Sequence, residues 1–333
     1  MRVIALEEHF VFPGLMNRIP TQRISDRGNP SSDQAPSLLK TVSKRLADLG
    51  EGRLADMDTN GISMQVLSWA GPGADLLDAE QGTAFAKDAN DRLAKVVKRH
   101  PDRFGAFAHL PVTADDAGVA ELKRCVQELG FQGGMINGTT QGRFLDDPMF
   151  EPLLATAEAL GVPLYIHPNI PPAAVRDAYY KGLPPVLGFE LSTYGFGWHV
   201  EVGIHLLRLV LSGTLNRHPK LKLIAGHMGE LLPMTLARTE KMVGPDYAKF
   251  SDRTISEQLR EQVWFSTSGL FTLQPLQILI DTFGIDRVLF SVDYPYSDNS
   301  EGRQLIDTLP FAQVDIENLC HGNAEGLLRL PLH

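Results

Sequence analysis

Residues 221–233 read LKLIAGHMGELLP. The run is apolar through Ala225, breaks at Gly226 and places His227 where a buried strand gives way to a helix. Such a junction holds a side chain firmly at its base while exposing its tip. Three other stretches share this grammar: ALEEHF at 5–10, PLYIHPN at 163–169 and VLFSVDYPYS at 288–297. Each is an apolar run that ends in a residue type able to bind a metal. The recurrence is the argument for the fold.

Counted along the chain, eight runs read as strands: VIALEEHF, ISMQVLSWA, FGAFAHLPV, FQGGMING, PLYIHPN, LKLIAGHMG, VWFSTSG and VLFSVDYP. Segments of helical period lie between them, as in VEVGIHLLRLVLSG, where Val200, Ile204, Leu207 and Leu211 recur every three or four residues. Helix-stop signals follow at Asn60-Gly61, His100-Pro101, Gly130, Gly161, Gly213 and Gly284. Eight strands alternating with helices predict an α/β protein, a (β/α)8 TIM barrel whose active site lies at the strand C-terminal ends. Every candidate ligand falls there.

At 333 residues and 43% hydrophobic content, with no break in composition, the chain is expected to form one domain over 1–333. A net charge of −9 argues against a nucleic-acid partner and against an anionic membrane surface. Cys125 and Cys320 are the only cysteines, too few for a disulfide framework, so a reducing cytoplasm is expected. MRVIALEEHF carries two acids within its apolar run, unlike a signal peptide, and no run reaches the ~18 apolar residues of a membrane helix.

Two connections are unusually long. One covers residues 11–43, after the first strand; the other covers 169–198, after the fifth, and carries Tyr179, Tyr180, Phe189, Tyr194, Phe196 and Trp198. Structureless connections of this length serve as lids or are disordered. The second is expected to cap a pocket or to meet another subunit.

Alternation on the first strand puts Val3, Ala5, Glu7 and His9 on one face, and Ile4, Leu6, Glu8 and Phe10 on the other. With the first set facing the barrel axis, Glu7 and His9 stand about 6.6 Å apart along the strand, near enough to bend onto one ion. The plainer reading leaves Glu7 and Glu8 solvated at a strand end. His167 ends the fifth strand with Tyr165 on its face, and Asp293 ends the eighth, which neighbours the first in a closed barrel. Two carboxylates in a dry site need a cation between them. The ligand set is then Glu7, His9, His167 and Asp293, suited to one divalent metal, Zn or Mn. FQGGMING has no lysine to bridge a second ion. His227 remains as an acid-base or orienting group, with Glu230 three residues on as partner for one ring nitrogen.

With these residues in place, the chain resembles the amidohydrolase superfamily, and within it the branch of metal-dependent, non-oxidative aromatic acid decarboxylases that includes the γ-resorcylate (2,6-dihydroxybenzoate) type. The resemblance runs through ALEEHF, LADMDTNGISMQVLS, RFGAFAHLPV, ELGFQGGMING, the His of YIHPN, the spaced Glu201, His205, Arg208 and Gly213, GHMGE, FSVDYPYS and GNAEGLL. It implies that Glu7, His9, His167 and Asp293 bind the metal and that Arg238 contacts the substrate, although Arg238 also reads as an ordinary solvated helix residue. It implies loss of CO2 from a small aromatic acid bearing an ortho hydroxyl, in a homodimer or homotetramer; for that chemistry Asp293 is the candidate proton donor, with His227 assisting. Three features depart from the pattern: His109 at a strand end, Tyr294 where Trp is frequent, and the composition of both long loops. The alternative chemistry is metal-dependent hydrolysis of a lactone or amide. A barrel serving only as a binding or scaffold protein is the reading outside enzymes, and the complete ligand set opposes it.

Overall fold

In the computed structural model, which describes residues 1–30, 35–113 and 115–330, each of the eight apolar runs contains a strand. They are β1 (Ile4–Phe10), β2 (Met64–Trp69), β3 (Phe104–His109), β4 (Gly133–Asn137), β5 (Pro163–His167), β6 (Lys222–Ala225), β7 (Val263–Ser266) and β8 (Val288–Leu289). All neighbouring pairs are parallel and follow chain order. The ring closes where Leu6 bridges Ser291 and the His9 amide donates to the Tyr294 carbonyl at 2.6 Å. This is a (β/α)8 barrel.

Two apolar layers hold it. Inside the barrel, Leu6, Val66, Phe107, Met135, Tyr165, Ile224 and Leu289 pack together, each from a different strand. Outside, a larger layer joins the strands to the helices and includes Val3, Ala5, Leu67, Leu164, Phe265 and Val288.

β1 departs from the simple alternation. Ala5 pairs with Gln65 but Glu8 pairs with Leu67, so β1 holds one residue more than β2 over this stretch, and Glu7 sits at φ 60°. That is a bulge, and a bulge exchanges the faces of a strand. Ile4 and Leu6 point into the barrel below it, Val3 and Ala5 point to the helices, and Glu7 and His9 face inward above. The expected inward set of Val3, Ala5, Glu7 and His9 is therefore corrected in its first half. Neither acid is solvated: Glu7 and Glu8 are both fully buried. Glu8 turns outward, accepting the Val292 amide at 2.9 Å and the Gln65 side-chain amide at 3.2 Å, beside buried Arg53. Burial raises its pKa to about 8, against the hydrogen bond from Val292 and the charge of Arg53.

The long connections are not structureless either. Residues 11–43 include helices Pro13–Met16, Thr21–Arg27 and most of Ser37–Ala47; the second connection holds Ala173–Tyr179 and Pro185–Ser192. The helix Gly197–Leu211 forms where the periodicity predicts. The quoted stripe lies on its outer side, however: Ile204 and Leu211 are exposed, while Val202, Leu206 and Leu209 are buried. The helix is apolar almost all round, so period alone does not choose its face. No helix among the described residues is long and apolar enough to cross a membrane.

Candidate active site

Strand ends deliver the side chains. Glu7 and His9 come from β1, His167 from the last residue of β5, His227 from the turn two residues past β6, and Asp293 from beyond β8. Backbone there is unusual: Glu7, His227, Met228, Glu230 and Asp293 all have positive φ, between 50° and 67°. L-residues avoid this region, and such concentration is typical of functional sites.

The groups converge. Ligand atoms of Glu7, His9 and His167 lie within 4.8 Å of one another. His9 Nε2 is 3.1 Å from Asp293 Oδ1, and His167 Nε2 is 3.6 Å from Glu7 Oε1. His227 Nε2 stands 4.0 Å from Glu7 Oε1 and 3.9 Å from Asp293 Oδ2. Glu7 is anchored through its other oxygen, which accepts from Tyr165 and Ser268. Ser68 Oγ meets His9 Nδ1 at 3.2 Å.

The supporting contacts define protonation. His167 Nδ1 faces the Pro168 carbonyl at 2.6 Å, and a carbonyl only accepts, so Nδ1 carries the hydrogen and Nε2 presents a lone pair. Burial, reinforced by the nearby His9, lowers the His167 pKa to about 3. It stays neutral, as a metal ligand must. His227 Nδ1 donates to Glu230 Oε1 at 2.8 Å, and Glu230 Oε2 meets His199 Nδ1 at 2.5 Å. Burial opposes protonation of His227, but the charges of Glu230 and Glu7 outweigh it and hold its pKa well above the ordinary range. Burial would raise Asp293; the adjacent imidazoles of His227 and His9 overcome it and hold the carboxyl at about 2.

Above the cluster opens a cavity lined by His9, His167 and Asp293 at its floor, and by Arg27, Leu38, Leu39, Ile170, Phe189, Tyr194 and Trp198 from the two long connections. The Trp198 and His167 rings are 5.9 Å apart between centroids. Both connections thus serve as walls of the site.

A profile of the family described as Amidohydrolase matches residues 40–330. The chain belongs to the amidohydrolase family. This amidohydrolase is 35% identical to decarboxylase orsB of Emericella nidulans, over 99% of its own length and 98% of that protein's. It is also 35% identical to the γ-resorcylate decarboxylase of Rhizobium radiobacter, over 98% of both. Among solved structures it resembles the 5-carboxyvanillate decarboxylase of Novosphingobium aromaticivorans, which was complexed with manganese and 4-hydroxy-3-methoxy-5-nitrobenzoic acid. The TM-score is 0.88, with 31% identity and coverage of 98% and 96%.

The amidohydrolase fold brings together Glu7, His9, His167, His227, Glu230 and Asp293 but not Arg238. Arg238 is exposed on the helix Leu232–Tyr247 and does not line the cavity. Leu232 and Leu236 turn to the core, and two residues past Leu236 is about 200° round the helix. The guanidinium that does line the cavity is Arg27, from the first long connection. The sequence does not point to His199: its role depends on a contact across 31 residues, and GFGWHVEV carries no pattern that announces it. His109 is buried and its Nε2 accepts the Ala74 amide at 3.0 Å, and Tyr294 lies under the guanidinium groups of Arg45 and Arg53.

Proposed function

We propose that this amidohydrolase is a metal-dependent carboxy-lyase that removes CO2 from an ortho-hydroxybenzoate, 2,6-dihydroxybenzoate-like at its reacting edge, and releases a phenol. Support comes from similarity to decarboxylases over nearly the whole chain and from a cavity that joins aromatic walls to an acid-imidazole floor.

One observation carries the metal. Glu7 Oε1 and His9 Nε2 are buried, turned into the cluster and without a hydrogen-bond partner among the described residues. Buried polar atoms are rarely left so, and a cation accepted by both satisfies them. Glu7, His9, His167 and Asp293 would hold one divalent ion, Zn or Mn, whose two positive charges match the two carboxylates. When bound, the ion supplies positive charge that gathers the substrate's carboxylate and ortho oxygen.

The chain's own groups then divide the remaining work. Phe189, Tyr194 and Trp198 hold the ring and keep water from it. An ortho oxygen that has lost its proton pushes electron density onto the carbon bearing the carboxylate. That carbon takes a proton, the bond to the carboxylate breaks, its electron pair restores aromaticity and CO2 departs. Asp293 presents the proton at the floor of the cavity. His227 is its source, with Nε2 3.9 Å from Asp293 Oδ2 and Nδ1 held by Glu230. A cytoplasmic homodimer or homotetramer belongs to the same proposal, supported by exposed Leu183, Leu187 and Leu191 on the second connection and by Ile204 and Leu211 beyond it.

The test is CO2 release from a panel of ortho-hydroxybenzoates, led by 2,6-dihydroxybenzoate, with metal-loaded and chelator-treated enzyme side by side. Metal-dependent release supports the proposal. No release from any member, together with turnover of an aromatic lactone or amide, replaces it with hydrolysis.

A further inference from the structure

Trp198 and His199 are neighbours in sequence and pack against different imidazoles of the site. The Trp198 ring meets His167 edge-on, with 5.9 Å between centroids. The His199 ring meets His227 in the same way at 5.5 Å. Both residues stand in the first turn of the helix Gly197–Leu211, directly after the second long connection. Trp198 lines the cavity and His199 does not.

The start of this helix is fixed by its own contacts. The Trp198 amide donates to the Thr193 carbonyl and the His199 amide to the Phe196 carbonyl, both at 3.1 Å. A Cβ at Gly197 would strike the Ser192 carbonyl, so glycine is what lets the helix begin this close to the connection. His199 is thus carried on backbone that is itself tied down.

The hydrogen bonds at Glu230 have a fixed direction. Burial would raise its pKa, but the charge of His227 and the hydrogen bond from His199 outweigh burial and keep it ionised. A carboxylate only accepts, so His199 carries its hydrogen on Nδ1 and donates to Oε2 at 2.5 Å, while His227 Nδ1 donates to Oε1 at 2.8 Å. Glu230 itself lies at φ 58°, ψ −128°, which L-residues avoid; such a conformation persists where the surroundings over-determine it. His227 is the group to be held, so the second anchor of the carboxylate has to come from elsewhere. His199 supplies it across 31 residues.

We propose that His199 is a positioning residue: its Nδ1–H fixes Glu230 Oε2, so that Oε1 holds His227 with Nε2 turned toward Asp293. The inference rests on the decarboxylase reading, in which His227 is the source of the proton. His199 acts through Glu230 and touches neither the floor of the cavity nor the substrate.

The experiment uses zinc-loaded wild type, His199→Phe and His199→Asn. Phenylalanine keeps a ring and removes the donor; asparagine places an amide N–H near the position of Nδ1. On 2,6-dihydroxybenzoate, His199→Phe is expected to lower kcat about 10- to 100-fold, the scale of one hydrogen bond to a charged group, with KM unchanged. His199→Asn is expected to restore most of kcat. A second readout is independent of turnover: in 15N-histidine-labelled protein, the Nδ1–H proton of His227 is expected to resonate downfield, to shift in His199→Phe and to return in His199→Asn. Full kcat in His199→Phe overturns the inference, as does an unmoved His227 signal. Equal losses in the two variants overturn it as well, because a donor at that position then makes no difference. If wild type releases no CO2, the decarboxylase reading fails on its own, and the His227 signal alone decides whether His199 holds the pair.

Discussion

His227 and Glu230 are joined Nδ1 to Oε1 at 2.8 Å across a turn whose backbone runs through positive φ at both residues. The contact ties up Nδ1 of His227 and turns its Nε2 toward Glu7 and Asp293, and it keeps the imidazole protonated.

Glu230→Gln removes the charge that raises His227. Its pKa falls, so the protonated form is lost at lower pH, and the alkaline limb of the pH–kcat profile moves to the acid side. Turnover at neutral pH is expected to drop toward the lower end of the about 100- to 10,000-fold that a general acid supplies, since Glu230 acts through His227. An unmoved alkaline limb removes the link between the two residues.

Asp293→Asn keeps the shape of the site but presents no carboxylic proton. We expect turnover to fall at least about 100-fold, with a non-reacting nitro analogue of the substrate still binding. A variant with full turnover takes the proton-donor role away from Asp293.

Metal content follows the floor residues. His9→Ala and His167→Ala are each expected to lose stoichiometric manganese or zinc by elemental analysis while keeping the wild-type far-ultraviolet circular dichroism. Added metal stabilises the wild type in proportion to the logarithm of its excess over Kd, and chelation reverses that gain in Tm. Variants that retain both the metal and the gain in Tm argue for a different ligand set.

His205 tests a pH effect away from the cluster. It is buried in the helix Gly197–Leu211, its Nε2 accepts the Leu145 amide at 3.0 Å, and burial lowers its pKa to about 3. The unfolded chain takes up this proton near pH 6.5, whereas the native state refuses it until about 3. Stability is therefore lost as pH falls between those values. His205→Gln keeps an acceptor for Leu145 without the titration, and its Tm is expected to fall less than wild type between pH 6.5 and 4.5. Parallel curves for the two proteins contradict this.

Local pattern was enough to read the barrel and most of its floor. Apolar runs of four to eight residues, helical periods and glycine stops are short-range properties, and parallel strands in chain order place every strand's C-terminal end at one mouth. Glu7, His9, His167, His227 and Asp293 could thus be picked out, and Glu230 lies only three residues from His227. Tertiary structure decided what depends on distant partners. The β1 bulge, which turns Leu6 and Glu7 to the same side, arises from pairing with β2 and is not encoded in the alternation of β1 itself. The buried face of the helix Gly197–Leu211 follows from what packs against it, since both faces are apolar. His199 reaches Glu230 across 31 residues, and Arg27 reaches the cavity only because the first long connection folds over it, whereas Arg238 points away. Side-chain chemistry is local, but the direction in which it is aimed depends on the whole barrel.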